Sequence, residues 1–138
     1  KGLLHPQDAV FAANCGADAV ILSNHGGRVM DGALSPIDVL PQVVAAVGKR
    51  ITVLIDSGFR RGSDVIKALA LGANAVLIGR SSLYGAAAAG EVGATRAITI
   101  FRDEIDRVMA LLGCRDIAAL NAEYLVPNNL RPAPSPSS

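Results

Sequence analysis

Two stretches decide the fold of this chain: Gly16-Ala17-Asp18-Ala19-Val20-Ile21-Leu22 and Gly72-Ala73-Asn74-Ala75-Val76-Leu77-Ile78. Each opens with a Gly suited to the position just after a helix, where a positive φ is wanted. Each continues as an apolar run without polar alternation, the pattern of a parallel strand buried on both faces. A third strand, Ile51 to Ile55, follows Gly48-Lys49-Arg50 in the same manner. Helical stretches fill the intervals. Pro6 to Asn14 reads as one helix. Ser35 suits an N-cap with Pro36 at the first helical position, and Ile37, Leu40, Val44 and Val47 recur at helical spacing. Ser63 is expected to cap the next helix, which runs through Val65, Ile66 and Leu69 to Leu71. The longest helix carries Ile98, Phe101, Ile105, Val108 and Leu112, and a short helical turn is expected after Asp116. Strands alternating with helices at this spacing mean an α/β fold.

A length of 138 residues fits one domain. With 51% apolar residues, 4% aromatics and no Trp, the core must be aliphatic. The net charge of +1 argues against a nucleic-acid binder, and the low charge with high apolarity argues against disorder. No apolar run reaches the roughly 18 residues of a membrane span. Two cysteines, Cys15 and Cys114, are too few for a disulfide framework and fit a reducing cytosol; both are expected to be buried packing. No signal peptide is legible, and the start at Lys1 without a Met reads as a chain that begins in the middle of something. A closed (β/α)8 barrel needs about 200 residues or more. The expectation is therefore the last three βα units of such a barrel, strands 6–8 with their flanking helices, over residues 1–125. Residues 126–138, rich in Pro, Ser and Asn, are expected to form a disordered tail. A small open sheet is the alternative, although it leaves much apolar surface uncovered.

In parallel α/β folds, function sits at the C-terminal ends of the strands. Here those ends read Ser23-Asn24-His25-Gly26-Gly27-Arg28, then Asp56-Ser57-Gly58-Phe59-Arg60, then Gly79-Arg80-Ser81. Four of the 13 basic residues (Arg28, Arg60, Arg61, Arg80) fall in these three loops. Phosphate is the first ligand implied: the N–H groups of Gly58 and Gly79 can approach it closely, and Arg60 and Arg80 can bind it bidentately. The plainer alternative is that these arginines decorate a solvated loop. His25, at a strand end before Gly-Gly, suits a base near neutral pH, or a structural His bonded to a loop carbonyl. Arg28 suits a clamp for a substrate carboxylate, or a salt bridge with Asp31. Asp56 suits polyol hydroxyls, or a fixed partner for a nearby Arg. Met30 and Met109 carry no functional case, and no Walker loop, Gly-x-Gly-x-x-Gly, His-Glu-x-x-His or Gly-x-Ser-x-Gly occurs.

These three segments together, the second extended to Gly62, resemble the FMN-dependent 2-hydroxy-acid dehydrogenases and oxidases, the family of glycolate oxidase and of lactate and mandelate dehydrogenases. The resemblance covers Lys1 to about Leu125, and Arg60 to Ala73 with Leu83 to Gly93 looks most like the bacterial mandelate/lactate dehydrogenase branch. It implies a (β/α)8 barrel with FMN at its mouth and oxidation of a 2-hydroxy acid to the 2-oxo acid. By resemblance Lys1 stabilises the reduced flavin, Ser23 contacts the flavin, and His25 is the catalytic base, touching substrate. Arg28 binds the substrate carboxylate, and Asp56 contacts the ribityl chain. Ser57 belongs to the same cofactor-binding stretch, and Gly58, Arg60, Gly79 and Arg80 form the phosphate site.

The resemblance also implies a small 2-hydroxy-acid substrate, oxygen or a membrane quinone carrier as electron acceptor, and a homo-oligomeric full-length enzyme. The expected location is cytoplasmic, with peripheral attachment to the inner face of a membrane open for the full-length protein. Val29-Met30 stands where Gln-Leu is common. The family's first strands, its substrate-contacting tyrosines and the Asp that pairs with the catalytic His find no match in this chain, so the chain alone is expected to be inactive. Two further readings stay open: another phosphate-binding barrel enzyme, and a non-catalytic half-barrel that binds FMN or associates through its open edge.

Overall fold

A computed structural model describes residues 1–126; nearly all of the expected tail lies outside them. The order of elements is α1 (Pro6–Asn14), β1 (Ala19–Leu22), α2 (Pro36–Val47), β2 (Thr52–Ile55), α3 (Gly62–Ala70), β3 (Ala75–Val76) and α4 (Arg80–Leu112). Short 3-10 turns follow β1 (His25–Gly27) and α4 (Ile117–Ala119 and Ala122–Tyr124). The turn expected after Asp116 is present, with the Asp116 carboxylate accepting from the Ala118 amide at 2.9 Å.

The strands form a parallel sheet in the order β1-β2-β3, with Ala19 paired to Thr52 and Leu54 to Ala75. A bridge from Leu3 to Leu22 adds the start of the chain to the free edge of β1. Three consecutive, neighbouring parallel βα units form the arc of a barrel that the sequence implies. The strands are shorter than their apolar runs: β3 spans only two residues, although the Leu77 amide still reaches the Ile55 carbonyl at 2.9 Å.

The helices cover one face of the sheet. Val20, Leu22, Val53 and Ile55 pack there with Ala9 of α1 and with Val39, Leu40, Val43 and Val47 of α2. Fully burying each of the larger aliphatic side chains contributes about 1.5–3 kcal/mol. The expected burial on both faces is met on this face only; Ile21 and Leu54, which point to the other, are half-buried. A second cluster joins Ile66 and Ala70 of α3 to Met109, Cys114 and Leu120.

Gly16 and Gly72 follow their helices with φ of 88° and 100°, as the Gly-Ala pattern predicts. The cap of α3 differs from expectation. Arg61, not Ser63, is the N-cap, and the Asp64 carboxylate accepts from the amides of Arg60 (3.1 Å) and Arg61 (3.0 Å). Asp64 stands at the third helical position and reaches back to the chain entering the helix, the acidic half of a capping box, so the helix already starts at Gly62 and Ser63 lies inside it. Cys15 is exposed, on the outer end of α1, whereas Cys114 is buried as expected. The long helix α4 is broken at Ala89 and Gly90, where φ is −153° and 56°. The chain turns back there, and Gly85 and Gly93 meet backbone to backbone with no room for a Cβ on either.

Candidate active site

The C-terminal ends of the three strands and the first residues of the chain surround one cleft of about 790 Å³, within the range of small-ligand sites. Lys1, His25, Arg28, Asp56, Ser57, Gly58, Arg60, Gly79 and Arg80 all line it. Ser23 does not; it is the one buried polar residue of the described chain, just behind the wall. Sequence positions far apart are thus brought together because parallel strands end on the same side.

The centre of the wall is a hydrogen-bonded set. The Lys1 ammonium lies 2.8 Å from Asp56 Oδ2 and donates to Ser23 Oγ at 2.9 Å. The Ser57 hydroxyl donates to Asp56 Oδ1 at 2.8 Å. Burial of Asp56 works to raise its carboxyl pKa, but hydrogen bonds from Lys1, Ser23 and Ser57 and the charge of Lys1 outweigh it, and the net shift is downward. Asp56 is therefore an anion at neutral pH, and its fixed partner is a lysine where the sequence alone suggested an arginine.

His25 is exposed on its loop at φ 58°, and Ser57 sits at φ 77°. Both lie in the left-handed region that side chains rarely adopt, a feature that gathers at functional sites. Arg28 ends the same 3-10 turn and is exposed. Among the described residues it makes no ion pair, so the alternative pairing with Asp31 is not formed.

The two loops expected to hold phosphate differ in what they leave open. At the start of α3 the amides are taken: Asp64 holds those of Arg60 and Arg61, and Glu104 accepts from Gly62 N at 2.7 Å. Glu104 also holds the Arg61 guanidinium at 2.7 Å, which turns Arg61 away from the cleft lining. The start of α4 has no side-chain cap, and a Cβ on Gly79 would meet nothing within 4 Å. Among the described residues its first-turn amides have no hydrogen-bond partner, and the positive end of the helix dipole lies behind them. Four cationic side chains (Lys1, Arg28, Arg60, Arg80) line the cleft against one carboxylate, Asp56. This donor set fits the FMN that the resemblance implies. The α4 amides with Arg60 and Arg80 suit its phosphate, Asp56 its hydroxyls, and the Lys1 cation an electron-rich ring edge.

Sequence reasoning passed over several lining residues: Phe59, Leu77, Ile78, Ser81, Leu83 and Tyr84. Tyr84 had a signal. It lies four residues after Arg80, and therefore on the same face of the helix. Ser81 tightens the mouth by donating to the Phe59 carbonyl at 2.9 Å.

Comparison with known proteins follows the same lines. The sequence profile of the FMN-dependent dehydrogenase family matches residues 1–127. The chain is 58% identical over 125 residues to (S)-mandelate dehydrogenase of Pseudomonas putida, covering 91% of this chain and 31% of that protein. It is 47% identical to an L-lactate oxidase of a Nostoc species, covering 91% of this chain and 34% of that protein. The crystal structure of the monotopic membrane protein (S)-mandelate dehydrogenase superposes with a TM-score of 0.88 at 57% identity, over 91% of this chain and 33% of that one. A mandelate oxidase variant with a monooxide FMN adduct superposes with a TM-score of 0.83 at 44% identity, over 86% of this chain and 38% of that one. The chain thus spans about a third of the length of the relatives it matches. With the matching profile spanning nearly all of its length, the chain belongs to the FMN-dependent dehydrogenase family.

Proposed function

We propose that this chain supplies the cofactor-phosphate, base and carboxylate-binding parts of an enzyme that oxidises a 2-hydroxy acid to the 2-oxo acid. The observation that carries this reading is the shared cleft: His25 and Arg28 line the same space as the cationic phosphate end formed by Arg60, Gly79 and Arg80. Bound FMN would accept the two electrons that the substrate loses. His25 takes a proton from the substrate as a general base. Arg28 binds the substrate carboxylate bidentately and sets its orientation. Lys1, held between Asp56 and Ser23, keeps a positive charge beside the place where negative charge gathers. The Asp56 carboxylate, already ionised, accepts from ribityl hydroxyls.

The relatives include proteins named as oxidases and as dehydrogenases, and one described as a monotopic membrane protein. For the full-length enzyme the reading includes a cytoplasmic site, with peripheral attachment to the inner face of the membrane, and a homo-oligomer. Its electron acceptor is oxygen or a membrane quinone carrier. No helix of the described residues is long and apolar enough to cross a membrane. Residues 1–125 form the partial barrel domain in this reading.

The test is co-production with a polypeptide that supplies the other two-thirds of the relatives' length. The assembled enzyme should bleach its flavin anaerobically when L-lactate or (S)-mandelate is added. His25→Gln should slow this by at least about 1,000-fold while FMN still binds. The 138-residue chain alone should show no substrate-dependent bleaching. Bleaching that persists in His25→Gln at an unchanged rate would remove His25 from the role of base.

A further inference from the structure

We propose that Ser57 is a positioning residue for His25, acting through the loop that carries the base and not through contact with a cofactor. The inference rests on the reading of His25 given above. Three consecutive amides of that loop end on two serine hydroxyls. Asn24 N donates to Ser57 Oγ at 3.2 Å, His25 N to Ser23 Oγ at 3.1 Å, and Gly26 N to Ser57 Oγ at 3.1 Å. The Ser57 hydroxyl in turn donates to Asp56 Oδ1. A hydroxyl has one proton and two lone pairs, so Ser57 Oγ is fully used inside the protein and has nothing left for a ligand.

The loop needs such a hold. His25 stands at φ 58°, Gly26 at φ 69° and Gly27 at φ 70°, so three successive residues lie at positive φ. Convergent amides of this kind form a concavity that binds anions elsewhere; here two hydroxyls fill it. The circuit then closes through the proposed flavin-side cation: Asp56 holds Lys1, and Lys1 donates to the same Ser23 that takes the His25 amide. Ser57 occupies its post at φ 77°, where glycine would be more at ease. The conformation is one that favours losing the side chain, and the three hydrogen bonds are what the side chain contributes in return.

That opposition makes a sharp test. Ser57→Gly relieves the backbone and deletes the hydroxyl, whereas Ser57→Ala deletes the hydroxyl only. Amide hydrogen exchange would be followed by NMR in the 138-residue chain, with FMN titrated into each variant. In both variants exchange at Asn24 and Gly26 should accelerate by about ten-fold, while FMN affinity stays within about two-fold. The Ser57→Gly thermal midpoint should exceed that of Ser57→Ala, because glycine relieves the φ of 77° that alanine keeps. In the co-produced enzyme, kcat should fall by about ten-fold with KM nearly constant. Unchanged exchange at Asn24 and Gly26 in Ser57→Gly would overturn the proposal, and a ten-fold loss of FMN affinity in that case would identify Ser57 as a cofactor contact. An unsubstituted chain that bound no FMN would count against the proposed function alone; the exchange rates would still decide whether Ser57 holds the loop.

Discussion

Arg80 donates from its Nη2 to the carbonyl oxygen of Gly26 at 3.0 Å, joining the start of α4 to the loop of His25 across 54 residues of sequence. The guanidinium proposed to bind phosphate thus also touches the loop of the proposed base. A cation that bridges two ends of a cleft couples them: whatever fixes Arg80 at one end helps to fix Gly26 at the other.

Gly26 is the residue at which this coupling can be broken. It has a φ of 69°, and a Cβ there would stand 3.0 Å from Arg80 Nη2. Gly26→Ala should displace the guanidinium and destabilise the chain by about 1 kcal/mol or more, through a strained backbone. FMN affinity should fall along with thermal stability. A variant with both unchanged would show that Arg80 and the loop move independently.

The Lys1–Asp56 pair gives a pH dependence. The folded-state pKa of Asp56 lies below its ordinary value of 3.8, because hydrogen bonds from Lys1, Ser23 and Ser57 overcome burial. A depressed carboxylate contributes stability above the unfolded pKa and loses it as pH falls through the folded one. Melting temperature should therefore decline on acidification below about pH 4. In Asp56→Asn that decline should be shallower, and the variant should be less stable at neutral pH. Equal slopes in the two proteins would contradict the pairing.

Helix α3 approaches α4 through Gly62. A Cβ there would lie 2.6 Å from both Glu104 Cβ and the Ile105 amide nitrogen. Gly62→Ala should cost about 2 kcal/mol by overpacking, and should loosen the Glu104 bonds to Arg61 and Gly62. Urea denaturation would read the loss. A stability within 0.5 kcal/mol of the unsubstituted chain, by the usual ~0.5 kcal/mol range of neutral surface changes, would refute the close contact.

Much of the fold is legible in the sequence because it is local. Gly16 and Gly72 mark helix ends by their backbone needs, and the apolar runs after them are strands by composition. Strand ends then place His25, Arg28, Asp56 and Arg80 on one side of the sheet by geometry alone. What escaped the reading depends on partners distant in sequence. The run Ala86-Ala87-Ala88-Ala89 favours helix strongly, and nothing local signals that α4 breaks at Gly90 so that Gly85 can meet Gly93. Ser63 looks like a cap until Asp64 takes the two amides just before the helix, those of Arg60 and Arg61. The Lys1–Asp56 pair and the bonds of Ser57 to the His25 loop join segments that only the parallel sheet brings together.

In the proposed function the ends of β2 and β3 form a ready-made cationic cradle for the FMN phosphate. It is tested most directly by titrating the chain with FMN, following the quenching of flavin fluorescence, and repeating the titration with Arg80→Ala. Saturable quenching is expected, with affinity weakened by about 10–100-fold in the variant, the loss of about 1.5–3 kcal/mol expected for hydrogen bonds to a charged group. Quenching of equal affinity in both proteins, or none in a chain shown to be folded, would contradict it.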